Sequence, residues 1–314
     1  MHNSNILANP HFQTIVPSFF RYSPRLKYQR KSIDTDDGDF LDLDYYEPNK
    51  DSNKLAILIH GLEGSSRDSY ITNTIQSLED ISVNSLAMNL RSCSGRTNRL
   101  LKTYHSGKTE DLEQVLKSID TEKYKEIYLI GFSIGGNIVL KYLGERASDF
   151  DPRIKQAIVI SPPLDLESSA KALAQPNTRL YMKRLLKNLK AKIKTKVKLF
   201  PGQISYQDFS SIKNFYDYDG RYTAPLNSFM SAKDYWQKAS SVNLLEDIKV
   251  ETTILSSYDD PFLGPECFPE IQNSFVETQY RDHGGHLGFW DFDWGEFRTK
   301  YLYQSLILEK LASK

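Results

Sequence analysis

A chain of 314 residues suits one large α/β domain with an insertion better than two equal domains. Its 40 basic and 40 acidic side chains cancel, so global charge argues for neither nucleic acid nor a membrane surface as partner. Two cysteines, Cys93 and Cys267, are too few for a disulfide framework and argue against a structural zinc, which fits a reducing compartment.

The opening Met1-His2-Asn3-Ser4-Asn5 shows no basic segment leading into an apolar one, so no signal peptide is expected. No apolar run approaches membrane-spanning length, and a soluble, cytoplasmic protein is the expectation. Residues 1 to 30 are aromatic, contain proline and end in a basic stretch from Arg25 to Arg30. They read as an arm packed on the domain. Asp36-Asp37-Gly38-Asp39 is a turn signal before the alternating Phe40-Leu41-Asp42-Leu43-Asp44-Tyr45, which suggests an antiparallel hairpin at a sheet edge. Leu55 to Ile59 is continuously apolar, as a strand buried on both faces requires. Ser85 to Leu90 is a weaker strand. Thr109 to Ile119 has helical spacing, with Glu110 and Asp111 suited to its first turn.

Ile127 to Ile130 is apolar and runs into Gly131-Phe132-Ser133-Ile134-Gly135, followed by a helical stretch from Gly136 to Leu143. Strand, tight turn and helix around G-x-S-x-G form a nucleophile elbow, in which small flanking residues let strand and helix approach. Gln156 to Ile160, Thr252 to Ser256 and Phe275 to Tyr280 read as further strands. Strands alternating with helices imply a mostly parallel, doubly wound sheet. Residues 164–250 interrupt this rhythm. Tyr181, Leu185, Leu189, Ile193 and Val197 recur every four residues, which reads as a helix with one apolar stripe. Its other positions carry Lys183, Arg184, Lys187, Lys190, Lys192, Lys194, Lys196 and Lys198. The expected organisation is an α/β core of 1–163 and 251–314 with a helical cap of 164–250. Contact of the basic cap with anionic lipid and a merely solvated lid face are both open readings.

Acyl transfer through serine needs a base, a group that orients the base, and donors where the oxyanion develops. Asp259-Asp260-Pro261 follows a strand, and Asp260 is the chosen acid with Asp259 the alternative. His283-Gly284-Gly285-His286 follows the last strand, and His286 is the chosen base with His283 second. His2 and His11 lie in the arm, His60 adjoins the oxyanion segment and His105 precedes a helix. His60-Gly61-Leu62-Glu63-Gly64 can aim the Leu62 N–H into the site beside the Ile134 N–H. No Walker lysine follows this turn, which argues against a nucleotide site.

Nine segments carry a family resemblance: Asn9 to Thr14, His60 to Ser66, Met88 to Gly95, Tyr104 to Gly107, Gly131 to Asn137, Phe215 to Tyr218, Thr223 to Leu226, Asp259 to Phe262 and His283 to Phe289. Together they resemble the YheT-like α/β hydrolases, related to mammalian and yeast abhydrolase-domain lipases and acyltransferases. The resemblance implies the α/β-hydrolase fold, Ser133 as nucleophile, Asp260 as acid, His286 as base, and neither metal nor organic cofactor. It implies hydrolysis of small-molecule acyl esters, with acyl transfer to alcohols as an alternative. A catalytically idle binding protein on the same fold is the non-enzymatic alternative.

Overall fold

The computed structural model describes residues 8–207, 209–293, 295 and 298–312. Met1 to Asn5, with His2 and the start of the arm, lie outside the described residues. β1 (Gln29–Asp34) and β2 (Phe40–Tyr46) pair antiparallel about a turn in which Gly38 takes φ 86°. This is the expected edge hairpin. Five further strands fall on the segments expected of them: β3 (Lys54–Ile59), β4 (Asn84–Met88), β5 (Glu126–Phe132), β6 (Ile154–Ile160) and β7 (Glu251–Ser257). With β8 (Val276–Arg281) they complete an eight-stranded sheet in the order β1-β2-β4-β3-β5-β6-β7-β8. β2 runs antiparallel to β4, and all pairings from β4 to β8 are parallel.

Side-chain alternation divides the core into two layers. Leu55, Ile57 and Ile59 of β3 join Ile127 and Leu129 of β5 under α3 (Thr109–Ser118) and α4 (Ile134–Arg146). Ala56 and Leu58 face the opposite way, toward α2 (Ser69–Glu79) and the C-terminal helix Leu302–Ala312. Helix α4 is buried from Ile134 to Gly144, including Asn137. Burial of that amide is offset by three hydrogen bonds: to the carbonyls of Ser106 (2.7 Å) and Ala239 (2.8 Å), and from the Ser241 N–H (3.0 Å). The helix under the elbow is thereby tied to the loop of Ser106, which lines the site, and to the segment from Ala239 to Ser241.

The arm contains α1 (Pro10–Phe20), capped by Asn9, whose side chain accepts from the His11 and Phe12 N–H groups. Between β6 and β7 the described residues contain helices and no strand: α5 (Leu166–Leu173), the 21-residue α6 (Arg179–Leu199), short helical turns from Phe215 to Leu226, and α7 (Ala232–Ala239). The apolar face of α6 differs from the four-residue stripe expected of it. Met182, Leu186, Leu189 and Ile193 are buried, whereas Tyr181, Leu185 and Val197 are only partly covered. A strict four-residue step drifts around a helix of about 3.6 residues per turn, so one such row cannot stay on the buried face along the whole helix. Nor are all the lysines solvated, since Lys192 is partly covered and Lys196 fully buried. Among the described residues no helix is long and apolar enough to cross a membrane.

Candidate active site

Ser133 ends β5 and starts α4 with φ 53° and ψ −123°, a strained conformation for a residue with a side chain. The turn closes only because its glycines are bare. A Cβ on Gly135 would lie 2.2 Å from the Ile59 carbonyl oxygen, and one on Gly131 would lie 2.5 Å from Gly136 Cα. The strained backbone lifts the Ser133 hydroxyl to the end of the sheet where the loops after β7 and β8 converge.

The β8 loop brings His286 Nε2 to 3.0 Å from Ser133 Oγ, and the β7 loop brings Asp260 Oδ2 to 2.8 Å from His286 Nδ1. An ionised carboxylate only accepts, so Nδ1 carries the proton given to Asp260 and Nε2 is free to accept the Ser133 O–H. Asp260 is fully covered, and its second oxygen accepts the Phe262 N–H at 2.8 Å. The Phe262 ring stacks on the imidazole, with centroids 4.1 Å apart and planes 8° from parallel.

The alternative pair points elsewhere. Asp259 accepts from the Gly284 and Gly285 N–H groups at 3.1 and 3.0 Å and lies 3.1 Å from His283 Nδ1. It organises the loop that carries His286 and stands apart from Ser133. His60 is fully buried, donates Nδ1–H to the Gly61 carbonyl (2.7 Å) and accepts the Leu90 N–H at Nε2 (3.2 Å). Burial pushes its pKa down to about 4, so it stays neutral. His105, packed edge-on to Phe229 and Tyr235, is pushed down to about 3 by burial. His11 bonds Tyr181 Oη at 3.0 Å.

The turn after β3 lies against the serine: a Cβ on Gly61 would be 3.2 Å from Ser133 Cβ. Tyr70 Oη accepts the Gly61 N–H and Tyr104 Oη accepts the Glu63 N–H, each at 3.0 Å. The Leu62 N–H lies between these two and, like that of Ile134, bonds to none of the described residues. Burial raises both tyrosines well above their ordinary pKa, keeping them neutral phenols. Glu63 has φ 57° and accepts the Tyr104 hydroxyl at 2.7 Å. Lys192 of α6 completes this cluster, its ammonium 2.7 Å from the Glu63 carboxylate.

These groups open onto a cavity of about 640 Å³ between the sheet edge and the helices that follow β6. Leu166, Leu173, Leu185 and Leu189 supply apolar lining, and Asp219 is a buried carboxylate in its wall. Two contributors come from the Asn9 to Thr14 segment, which the sequence marked only by resemblance and to which it assigned no role. Thr14 of α1 accepts the His286 N–H at 2.9 Å, and the Gln13 amide makes two 3.1 Å bonds with the Trp290 backbone. Partners 272 and 277 positions apart leave no local pattern.

A sequence profile of the alpha/beta hydrolase fold matches residues 55–293. YheT of Escherichia coli (strain K12), an esterase by name, is 30% identical over 90% of this chain and 84% of its own. Phospholipase ABHD3 of Mus musculus is 27% identical over 90% of this chain and 71% of its own. The structure of the Pyrococcus furiosus esterase Pf2001 superposes with a TM-score of 0.54 at 20% identity, covering 92% of this chain and 88% of that one. Its likeness is one of fold. The sheet order, the elbow and these matches place the chain in the α/β hydrolase family, as a hydrolase enzyme.

Proposed function

We propose that the protein is a serine carboxylic ester hydrolase working through an acyl-enzyme. The single observation that carries this reading is the hydrogen-bonded chain Asp260–His286–Ser133, with links of 2.8 and 3.0 Å. His286 Nε2 takes the Ser133 proton as Oγ bonds the acyl carbon, and Asp260 holds the imidazolium that forms. The Leu62 and Ile134 N–H groups donate to the oxyanion, and being backbone they need no reorganisation. Collapse breaks the ester C–O bond, and the alcohol leaves with the proton from His286. Water then attacks the acyl carbon, gives a proton to His286 and releases the carboxylic acid as Ser133 recovers its own.

The helical segment 164–250 serves as the cap over this site, and its leucines line the room for an acyl chain. The apolar lining, together with relatives named esterase and phospholipase, supports acyl esters of lipid-like character as substrates. Turnover of p-nitrophenyl esters across chain lengths tests the reading. Ser133→Ala is expected to abolish turnover; unchanged activity in that variant would sink the mechanism.

A further inference from the structure

Helix α1 ends in side chains that packing leaves in water. Phe19 is 71% exposed and Phe20 81% exposed, and Ile15 lies one turn earlier on the same helix. Single exposed apolar residues are ordinary; a contiguous set around an opening is not. Ile15 and Phe19 line the cavity that holds Ser133, and so does Leu180, 77% exposed at the start of α6. The exposed apolar groups of both helices therefore form a rim around the cavity mouth.

Beside this rim α6 presents a charge of one sign. Its 21 residues include no Asp or Glu. Arg179, Lys183, Lys187 and Lys198 are exposed, and none has an ion-pair partner among the described residues. The inward lysines hold the helix down, Lys192 on Glu63 and Lys196 on the Asn98 carbonyl at 3.0 Å. The outward cations are thus fixed on a docked helix in a protein whose total charge is zero. Apolar side chains at an opening with unopposed cations flanking them match an anionic bilayer surface, which offers acyl chains beneath and phosphates at the same level.

We propose that the mouth of the Ser133 cavity is a docking face for membranes containing anionic lipid. The Ile15, Phe19 and Leu180 rim, with the exposed Phe20 next to it in sequence, enters the headgroup region, and the outward cations of α6 hold the lipid phosphates. An ester in the bilayer then reaches Ser133 without passing through bulk water. The fate of the ester rests on the hydrolase reading; the docking itself does not.

Co-sedimentation of the full chain with vesicles tests this, comparing phosphatidylcholine alone with phosphatidylcholine containing phosphatidylglycerol. Binding is expected only to the anionic vesicles and to weaken at high salt, which screens surface charge. Lys183→Gln/Lys187→Gln is expected to lower partitioning about 30-fold and Phe20→Ser by about tenfold. None of these three side chains lines the cavity, so hydrolysis of a water-soluble p-nitrophenyl ester stays as in the parent. Absence of binding to anionic vesicles overturns the proposal, as does binding untouched by both variants. A dimer in sedimentation velocity that Phe20→Ser dissolves, without vesicle binding, overturns it in favour of self-association. Failure to hydrolyse any ester while binding persists would count against the enzymatic reading alone.

Discussion

Asp219→Asn is expected to make the protein more stable at pH 8 and to leave it unchanged near pH 4. The Asp219 carboxylate is 7% exposed in the cavity wall, and no cation pairs with it among the described residues. Trp236 Nε1–H donates to it at 2.8 Å and the Thr223 hydroxyl at 2.6 Å. Burial outweighs both hydrogen bonds and pushes its pKa up to about 6 from 3.8. The folded state therefore binds the proton more tightly than the unfolded chain, and stability falls as pH rises from about 4 to about 6. At about 1.36 kcal/mol per pH unit, the ionised group costs about 3 kcal/mol once pH exceeds that window. An asparagine cannot ionise. Its Oδ1 still accepts from Trp236, and its amide donates to a Thr223 hydroxyl that turns to accept. Urea unfolding at both pH values should show a gain of about 3 kcal/mol at pH 8 and none at pH 4. A gain equal at both, or absent at pH 8, refutes the reasoning.

The two neighbouring aspartates should separate by kinetics. Asp260→Asn is expected to lower kcat by about ten-thousandfold with the protein still folded, because its oxygen stays on the Phe262 N–H and its amide N–H then donates to Nδ1, which puts the imidazole proton on Nε2, the wrong tautomer for a base. Asp259→Ala is expected to cost about 2 kcal/mol of stability, from two backbone N–H groups left without their acceptor, with a far smaller loss of kcat. The reverse order would reassign the acid. Lys192→Met leaves the Glu63 carboxylate, 4% exposed, without its cation and should destabilise by about 3 kcal/mol in urea unfolding. Adding Glu63→Gln should recover more than half of that loss; strict additivity would deny the coupling.

The sheet was readable because β3, β5 and β6 each carry an apolar run of at least four residues, and the elbow because its geometry tolerates only glycine at Gly131 and Gly135. Asp259 and Asp260 could not be separated by pattern. Adjacent side chains after a strand point in different directions, and only the folded loop shows which one meets His286. The Asn9 to Thr14 segment stood out by resemblance, but its support of that loop could not be assigned, for another reason. Thr14 and Gln13 act from the opposite end of the chain, and a hydrogen bond across 272 positions has no periodicity. The lysines of α6 looked uniform in sequence, yet Lys192 and Lys196 turn inward because Glu63 and two loop carbonyls accept them. Asp219 gave no sign at all, since its environment is made by Trp236 and Thr223 on separate helical turns.

The proposal that Ser133 is the nucleophile is tested most directly by intact-mass analysis after treatment with a fluorophosphonate, followed by peptide mapping. One adduct on the peptide containing Ser133 is predicted, absent in Ser133→Ala and slowed in His286→Ala. A folded protein that turns over p-nitrophenyl esters yet carries no adduct at Ser133 would contradict the account.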